Sequence, residues 1–181
     1  NSNDAKLKTV ALRPHLIWGP GDRHLAPRVI NRGRAGRLRL VGVKENKVDS
    51  CYIDNAVNAH LLAGDSLQNE AKCAGKAYFI SNDEPIAMSG LINKILATVD
   101  VPPISKRINQ YLAYYLGALL EFVYSVFRIE QEPLMTRFVA KQLSTSHWFD
   151  LTAAKRDLSY EPTISIDEGM RYLKASFNTE K

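Results

Sequence analysis

The period of apolar positions changes several times along the chain, and each change predicts an element. Residues 7–12 mix Leu, Val and Ala with Lys and Thr. Pro14 lacks the amide hydrogen that a ladder needs, so this short strand is predicted to end near Arg13. Trp18-Gly19-Pro20-Gly21-Asp22 demands a tight turn. A helix is predicted over residues 25–31, with Pro27 tolerated in its first turn and Gly33 and Gly36 as breaks. Residues 38–41 and 48–53 read as short strands. Asp54 is placed to cap a helix reaching Ala63, with Val57, His60 and Leu61 on one face and Gly64 as its stop.

Residues 76–80 form an apolar aromatic run of strand length, followed by a polar loop over residues 81–85. Leu91, Ile92, Ile95 and Leu96 repeat with helical period over residues 89–99, and Pro102-Pro103 closes that helix. Residues 108–120 carry no charge, and the apolar run resumes after Glu121 as far as Phe127. The uncharged stretch is shorter than the roughly 20 residues of a membrane span. A long apolar helix is predicted that covers a pocket, lies in a membrane interface or binds a partner; a buried core helix is the competing reading. Asp150 is placed to cap a helix over residues 151–158. Ser165 and Glu168 have the spacing of a capping box, ahead of a last helix with Met170, Leu173 and Phe177 on one face.

Composition narrows the function classes. The 181 residues are 45 % hydrophobic and 24 % charged, which fits one ordinary globular domain. Cys51 and Cys73 are the only cysteines, without CxxC spacing, and the four histidines include no HExxH. A disulfide scaffold and a dedicated metal site are therefore not expected. The net charge is +5, and Arg23, Arg28, Arg32, Arg34, Arg37 and Arg39 hold much of the excess. The chain starts on a polar stretch without Met and shows no signal peptide, so a fragment of a longer cytoplasmic protein is expected.

Catalytic motifs are sparse. Gly33-Arg34-Ala35-Gly36 is the nearest approach to a phosphate cradle, but Arg39 stands where a third glycine belongs. No GxSxG elbow occurs. Asp49, Asp54, Asp83 and Glu84 fall at element edges, where capping and turn roles are the ordinary explanation.

Residues 12–22, Leu-Arg-Pro-His-Leu-Ile-Trp-Gly-Pro-Gly-Asp, resemble the strand-and-turn segment of extended short-chain dehydrogenases/reductases, most closely the 3β-hydroxysteroid dehydrogenase/isomerase group. Residues 48–60, Val-Asp-Ser-Cys-Tyr-Ile-Asp-Asn-Ala-Val-Asn-Ala-His, resemble that group's strand-to-helix segment. Residues 75–81 resemble a late core strand. Residues 149–162 resemble its C-terminal Asp, helix, Leu-Gly-Tyr-x-Pro pattern, with Ser159 in the usual Gly place. The resemblance implies an α/β fold: late strands of a Rossmann-type parallel sheet, interleaved with a small α/β substrate lobe. Residues 1–181 would be the C-terminal, substrate-binding part, without the N-terminal dinucleotide-binding half. The strands near residues 7–12 and 76–80 should then be parallel neighbours.

The family's catalytic Tyr-x-x-x-Lys is absent: none of the eight tyrosines has Lys four residues later. No catalytic residue and no metal ligand is assigned. The resemblance places Pro14, His15, Leu16 and Ile17 at the nicotinamide end of NAD or NADP, where free amides and carbonyls could meet the carboxamide. It places Trp18, His24, Tyr111 and Tyr115 on a bulky apolar, steroid-like substrate carrying a hydroxyl or ketone. The partners implied are that small molecule and the N-terminal half, with a homodimer and a peripheral membrane contact left open. Two rivals stand beside this reading. One is a nucleotide-sugar epimerase or reductase fragment, disfavoured by the apolar helix. The other is a noncatalytic basic module for nucleic acid or acidic lipid, supported only by the arginine stretch, with nucleic acid the less favoured partner.

Overall fold

The computed structural model describes residues 7–42, 44–131 and 133–179. The polar start at residues 1–4 lies outside them. In chain order the elements are β1 (Ala11–Pro14), β2 (Ile17–Trp18), α1 (Leu25–Arg34), β3 (Leu40–Val41), β4 (Lys47–Val48), β5 (Cys51–Tyr52), α2 (Ile53–Gln68), β6 (Ala77–Ile80), β7 (Ile86–Ala87), α3 (Met88–Ala97), β8 (Arg107–Ile108), α4 (Gln110–Val126), α5 (Arg137–Ser144), α6 (Thr152–Leu158) and α7 (Ile166–Thr179). The chain divides into two compact units. The first takes the described residues up to Arg28, Asp49–Pro85, and those from Trp148 on; the second takes Val29–Val48 and Ile86–His147.

In the first unit β1 pairs with β6 in parallel, Ala11 opposite Ala77 and Pro14 opposite Ile80, as the family resemblance implies. The ladder does not stop at Arg13. Pro14 keeps its carbonyl, and the next amide, that of His15, donates to Ile80 O at 3.1 Å. A proline costs a ladder only its own N–H, and a strand end tolerates that. The pair β2–β5 is parallel too, Ile17 opposite Cys51. The strand expected over residues 48–53 is in fact two, β4 and β5, which belong to different units.

The first unit's core gathers Cys51, Ala56, Ala59, Ala63, Tyr78, Ile80, Leu151, Leu158 and Tyr160, with Val10 and Leu12 against it. Burying each of its larger side chains stabilises by roughly 1.5–3 kcal/mol. The buried face of α2 is Asn55, Ala56, Ala59 and Ala63. That corrects the expected face: Val57 and Leu61 are 49 % and 64 % exposed. Small residues let the helix backbone approach its neighbours, and this outweighs the bulk on the opposite side. Asp54 is not the cap either; Tyr52 holds that position without a side-chain bond. Asp54 lies in the first turn, where a carboxylate favours the helix dipole. The helix also passes Gly64 unbroken, to Gln68.

Residue Ser159 adopts a left-handed conformation (φ 54°) after α6, the reason glycine suits this place. At α7 the Ser165 Oγ accepts from the Glu168 amide at 3.2 Å, one half of the capping box. The other half is replaced, since the Glu168 carboxylate accepts from the Tyr172 hydroxyl. The buried face of α7 includes Ile166, Met170 and Leu173.

In the second unit α1 runs past Gly33, where a Cβ would come within 2.5 Å of a Leu96 methyl. It closes at Gly36 (φ 64°), with Arg37 N donating to Arg32 O at 3.0 Å. Strands β3 and β8 pair in parallel, and β4 and β7 antiparallel. The α3 face Leu91, Ile92, Ile95 and Leu96 is buried as its period predicts. The long helix is α4, starting at Gln110 rather than Ile108, with Asn109 accepting from Tyr111 N. It packs on α5, an element the sequence pattern did not reveal, capped by Thr136. Only Ala113 and Gly117 of α4 are buried, so the core-helix reading is corrected. Among the described residues no helix is long and apolar enough to cross a membrane.

Candidate functional site

The carboxyl ends of parallel strands leave carbonyl and amide groups pointing past the sheet, which is where open α/β sheets bind ligands. Residues Pro14, His15, Leu16 and Ile17 leave β1 at that edge. Leu16 stands at φ 47°, in the left-handed region that a bulky side chain rarely adopts. Its carbonyl accepts from Cys51 N at 3.2 Å, which holds the strained turn. Two of the backbone groups expected to be free, the His15 amide and the Leu16 carbonyl, are thus engaged in the ladders. Ile17 presents its side chain, 41 % exposed, on the outer side of β2.

His15 is fixed from two sides. Its Nδ1 lies 2.8 Å from the backbone oxygen of Asp49, and its ring meets Phe149 edge-on at 5.0 Å. Phe149 in turn stacks on Phe79 at 4.1 Å, with the Arg13 guanidinium 5.8 Å over Phe79. One face of β1 and β6 therefore carries a cationic and aromatic strip, while Leu12, Tyr78 and Ile80 face the core.

Beneath this edge is a buried polar layer. Asn55 Nδ2 donates to Asn82 Oδ1 at 2.9 Å, and Asn82 Oδ1 also accepts from Tyr52 N. Both asparagines donate to Ile164 O, and Asn55 Oδ1 accepts from the Thr163 and Ile164 amides. Asp49 is wholly buried, and neither carboxyl oxygen has a hydrogen bond. Burial raises its pKa, offset in part by the nearby Ser81 and the Phe149 backbone. The edge role foreseen for Asp49 is therefore corrected: it caps nothing. Glu84 accepts from the Ile166 amide at the start of α7, and Asp83 pairs with Lys155.

A cleft of about 340 Å³ opens beside β2, lined by residues 17–24 and Ile53. It brings together Ile17, Trp18 and His24. Trp18 forms its inner wall: the ring is 1 % exposed, donates to Ser50 Oγ at 3.1 Å and meets Tyr52 edge-on. His24 is exposed on the rim. Asp22, which accepts from the His24, Leu25 and Ala26 amides, shapes the turn and starts α1. The cleft offers an apolar floor and a polar rim, suited to a ligand with an apolar body.

Tyr111 and Tyr115 are elsewhere, on the outer face of α4 in the second unit, 66 % and 69 % exposed. Burial pushes the Cys51 thiol up to about 12, so it is no nucleophile. Among the described residues no group of His, Cys, Asp or Glu could hold a metal ion.

Residues 1–108 match the 3-beta hydroxysteroid dehydrogenase/isomerase family. The chain is 59 % identical over 171 residues to the 2-alkyl-3-oxoalkanoate reductase of Shewanella oneidensis, covering 94 % of this chain and 44 % of that protein. It is 33 % identical to the decarboxylating sterol-4-alpha-carboxylate 3-dehydrogenase of Mus musculus, covering 98 % of this chain and 51 % of the relative. The chain thus spans about half the length of these relatives. Among solved structures, UDP-glucuronic acid 4-epimerase from Bacillus cereus in complex with NAD superposes with a TM-score of 0.58 at 17 % identity, over 94 % of this chain and 45 % of the other. That likeness shows a Rossmann-type fold. The match over residues 1–108, which takes in β1, its strained exit and the β5–α2 segment, makes the chain a member of the 3-beta hydroxysteroid dehydrogenase/isomerase family.

Proposed function

We propose that this chain is the C-terminal, substrate-binding part of a nicotinamide-dependent oxidoreductase. The protein containing it transfers a hydride between NAD or NADP and the ketone or hydroxyl of a bulky apolar substrate. The observation that carries this reading is the 59 % identity to a 2-alkyl-3-oxoalkanoate reductase across nearly the whole chain. It favours an acyl-chain keto acid over the steroid-like compound implied by the sequence resemblance. The nucleotide-sugar reading is supported only by fold-level similarity.

The residues at the β1 exit fit the nicotinamide end of the cofactor. The strained Leu16, the doubly anchored His15 and the outward Ile17 form a preorganised edge at the carboxyl ends of parallel strands. When bound, the cofactor supplies the hydride. A carbonyl oxygen acceptor at Nδ1 requires that His15 carry its proton there, which sets the tautomer the ring presents to a ligand. Trp18, His24 and Ile53 bound the apolar cleft next to that edge. The Tyr-x-x-x-Lys pair is not among these 181 residues, so they provide the wall of the site and not its proton donor.

The test is a steady-state assay of the full protein with NADH and NADPH against a 2-alkyl-3-oxoalkanoate and a 3-ketosteroid. Turnover of the keto acid with little on the steroid is expected, and His15→Ala should raise the KM for the dinucleotide. Equal turnover of the steroid would overturn the substrate choice. An unchanged dinucleotide KM would remove His15 from the site.

A further inference from the structure

We infer that Arg23 receives the carboxylate of the substrate at the rim of the cleft beside β2, and so selects acids over their uncharged analogues. This rests on the keto-acid reading above and names the residue that meets a group the reading leaves without a partner. In a 2-alkyl-3-oxoalkanoate a single carbon separates the carboxylate from the ketone. A site that holds the ketone for reduction therefore holds the anion a short distance from it. An anion brought against an apolar floor without a counter-charge costs free energy, so the site needs a cation.

The turn after β2 presents one. Gly19 lies against the first residue of α2, since a Cβ there would come within 2.5 Å of Ile53 Cγ2. Pro20 and Gly21 (φ 76°) then form the middle of a turn closed by Asp22 N, which donates to Gly19 O at 3.1 Å. Just beyond it the backbone consumes the Asp22 carboxylate. Its Oδ1 accepts from His24 N at 2.7 Å and Leu25 N at 3.2 Å, and its Oδ2 from Ala26 N at 2.7 Å. Arg23 stands between the tight turn and this cap, so its backbone is anchored on both sides while its side chain is exposed.

The charge balance of the cleft points the same way. Asp22 and Arg23 line it, with His24 beside them. Asp22 answers the amides at the start of α1, and among the described residues no side chain pairs with Arg23. One guanidinium is thus left for a ligand. Its planar fork can give a carboxylate two parallel hydrogen bonds, which an ammonium cannot. Other arginines of the basic stretch are engaged elsewhere: Arg32 donates to Leu134 O, and Arg39 to Gly36 O and Leu38 O. Ile17 and Ile53, with the Trp18 ring as inner wall, supply apolar surface for the alkyl chains in the same cleft. All these cleft residues belong to the first unit.

The experiment measures oxidation of a 2-alkyl-3-hydroxyalkanoate and of its methyl ester by the full protein, with NAD+ and with NADP+. The hydride on C3 passes to the nicotinamide and the hydroxyl proton to the protein, leaving the ketone. The hydroxy acid is used because a 3-keto acid loses carbon dioxide spontaneously. The parent should favour the acid by roughly tenfold or more in kcat/KM. The preference should shrink at high salt, because salt screens an exposed cation. Arg23→Gln should raise the KM for the acid until acid and ester are used alike, and Arg23→Lys should keep part of the preference. Circular dichroism melting verifies that both variants stay folded. Equal use of acid and ester by the parent would overturn the inference while the keto-acid reading stands. Oxidation of neither would overturn that reading and the inference with it. An acid preference untouched by Arg23→Gln would overturn the assignment to Arg23, as would a variant whose only change is a higher KM for the dinucleotide.

Discussion

The Asn55 amide donates to the Asn82 side-chain oxygen at 2.9 Å, and both residues are essentially unexposed. This bond, with the two that the asparagines give to Ile164 O, joins the start of α2, the chain after β6 and the chain at Ile164. Buried polar groups at such a junction stabilise only while each has its partner.

Asn82→Ala removes an acceptor used by Tyr52 N and Asn55 Nδ2 and a donor to Ile164 O. It should destabilise the protein by roughly 1–3 kcal/mol. Urea unfolding reads this as a lower midpoint with unchanged slope. An equal midpoint would mean that the network contributes nothing net.

Asp49 should make the protein less stable as pH rises. Its carboxyl is buried without a hydrogen bond, and burial raises its pKa in the folded state. Between the unfolded value of about 3.9 and that raised value, the folded state holds the proton more tightly. Stability therefore falls as pH climbs through this window and levels off above it. Asp49→Asn, which cannot ionise, should lose that component of the pH profile in thermal melts. Parallel profiles for the two proteins would sink the idea.

Asp157 should act in the opposite sense. Hydrogen bonds from Arg156, Lys76 and Tyr78 hold its carboxylate well below the ordinary range. A depressed carboxyl stabilises fully above the unfolded value, and that stabilisation is lost as pH falls through the folded one. Asp157→Asn should melt lower than the parent at neutral pH, and the gap should narrow on acidification. A constant gap from pH 7 to pH 3 would contradict this.

Two glycines should respond with opposite signs. Gly117→Val drives a side chain into the Thr136–Arg137 backbone, which cannot yield as a flexible side chain can. A loss of about 1–3 kcal/mol is expected from overpacking. Gly90, inside α3, has only Ala87 Cβ at 3.9 Å from its hypothetical Cβ. Gly90→Ala should raise the melting temperature, by an amount matching roughly 0.5–1 kcal/mol.

Long, strongly periodic segments were legible in the sequence, and the family resemblance added the strand pairing. The core face of α3, the core residues of α7 and the parallel pairing of β1 with β6 all follow from period or family pattern. What was illegible has physical causes. The buried face of α2 is made of alanine and asparagine, so bulk pointed to the wrong side. Two-residue strands such as β7 and β8 have no period to read. Glu121 looks like an interruption in one dimension because its partner Arg137 is 16 residues away. Asp49 resembled any acid beside a strand, and only the packed structure reveals that its carboxyl is wholly buried. The cleft beside β2 could have been suspected from Gly19, Pro20 and Gly21, which keep bulk away from that turn.

The chain passes between its two units at residues 28–29, 48–49, 85–86 and 147–148. The second unit is thus a pair of insertions, 20 and 62 residues long, each leaving and re-entering the first. Changing the length of an inserted loop costs little free energy, because closure entropy grows only with the logarithm of its length. The sheet edge at β1 and β6 is encoded outside both insertions, so the inserted segments can change between descendants without redesigning the framework. Modularity of this kind is invisible to a simple truncation series, since neither module is a contiguous stretch of gene.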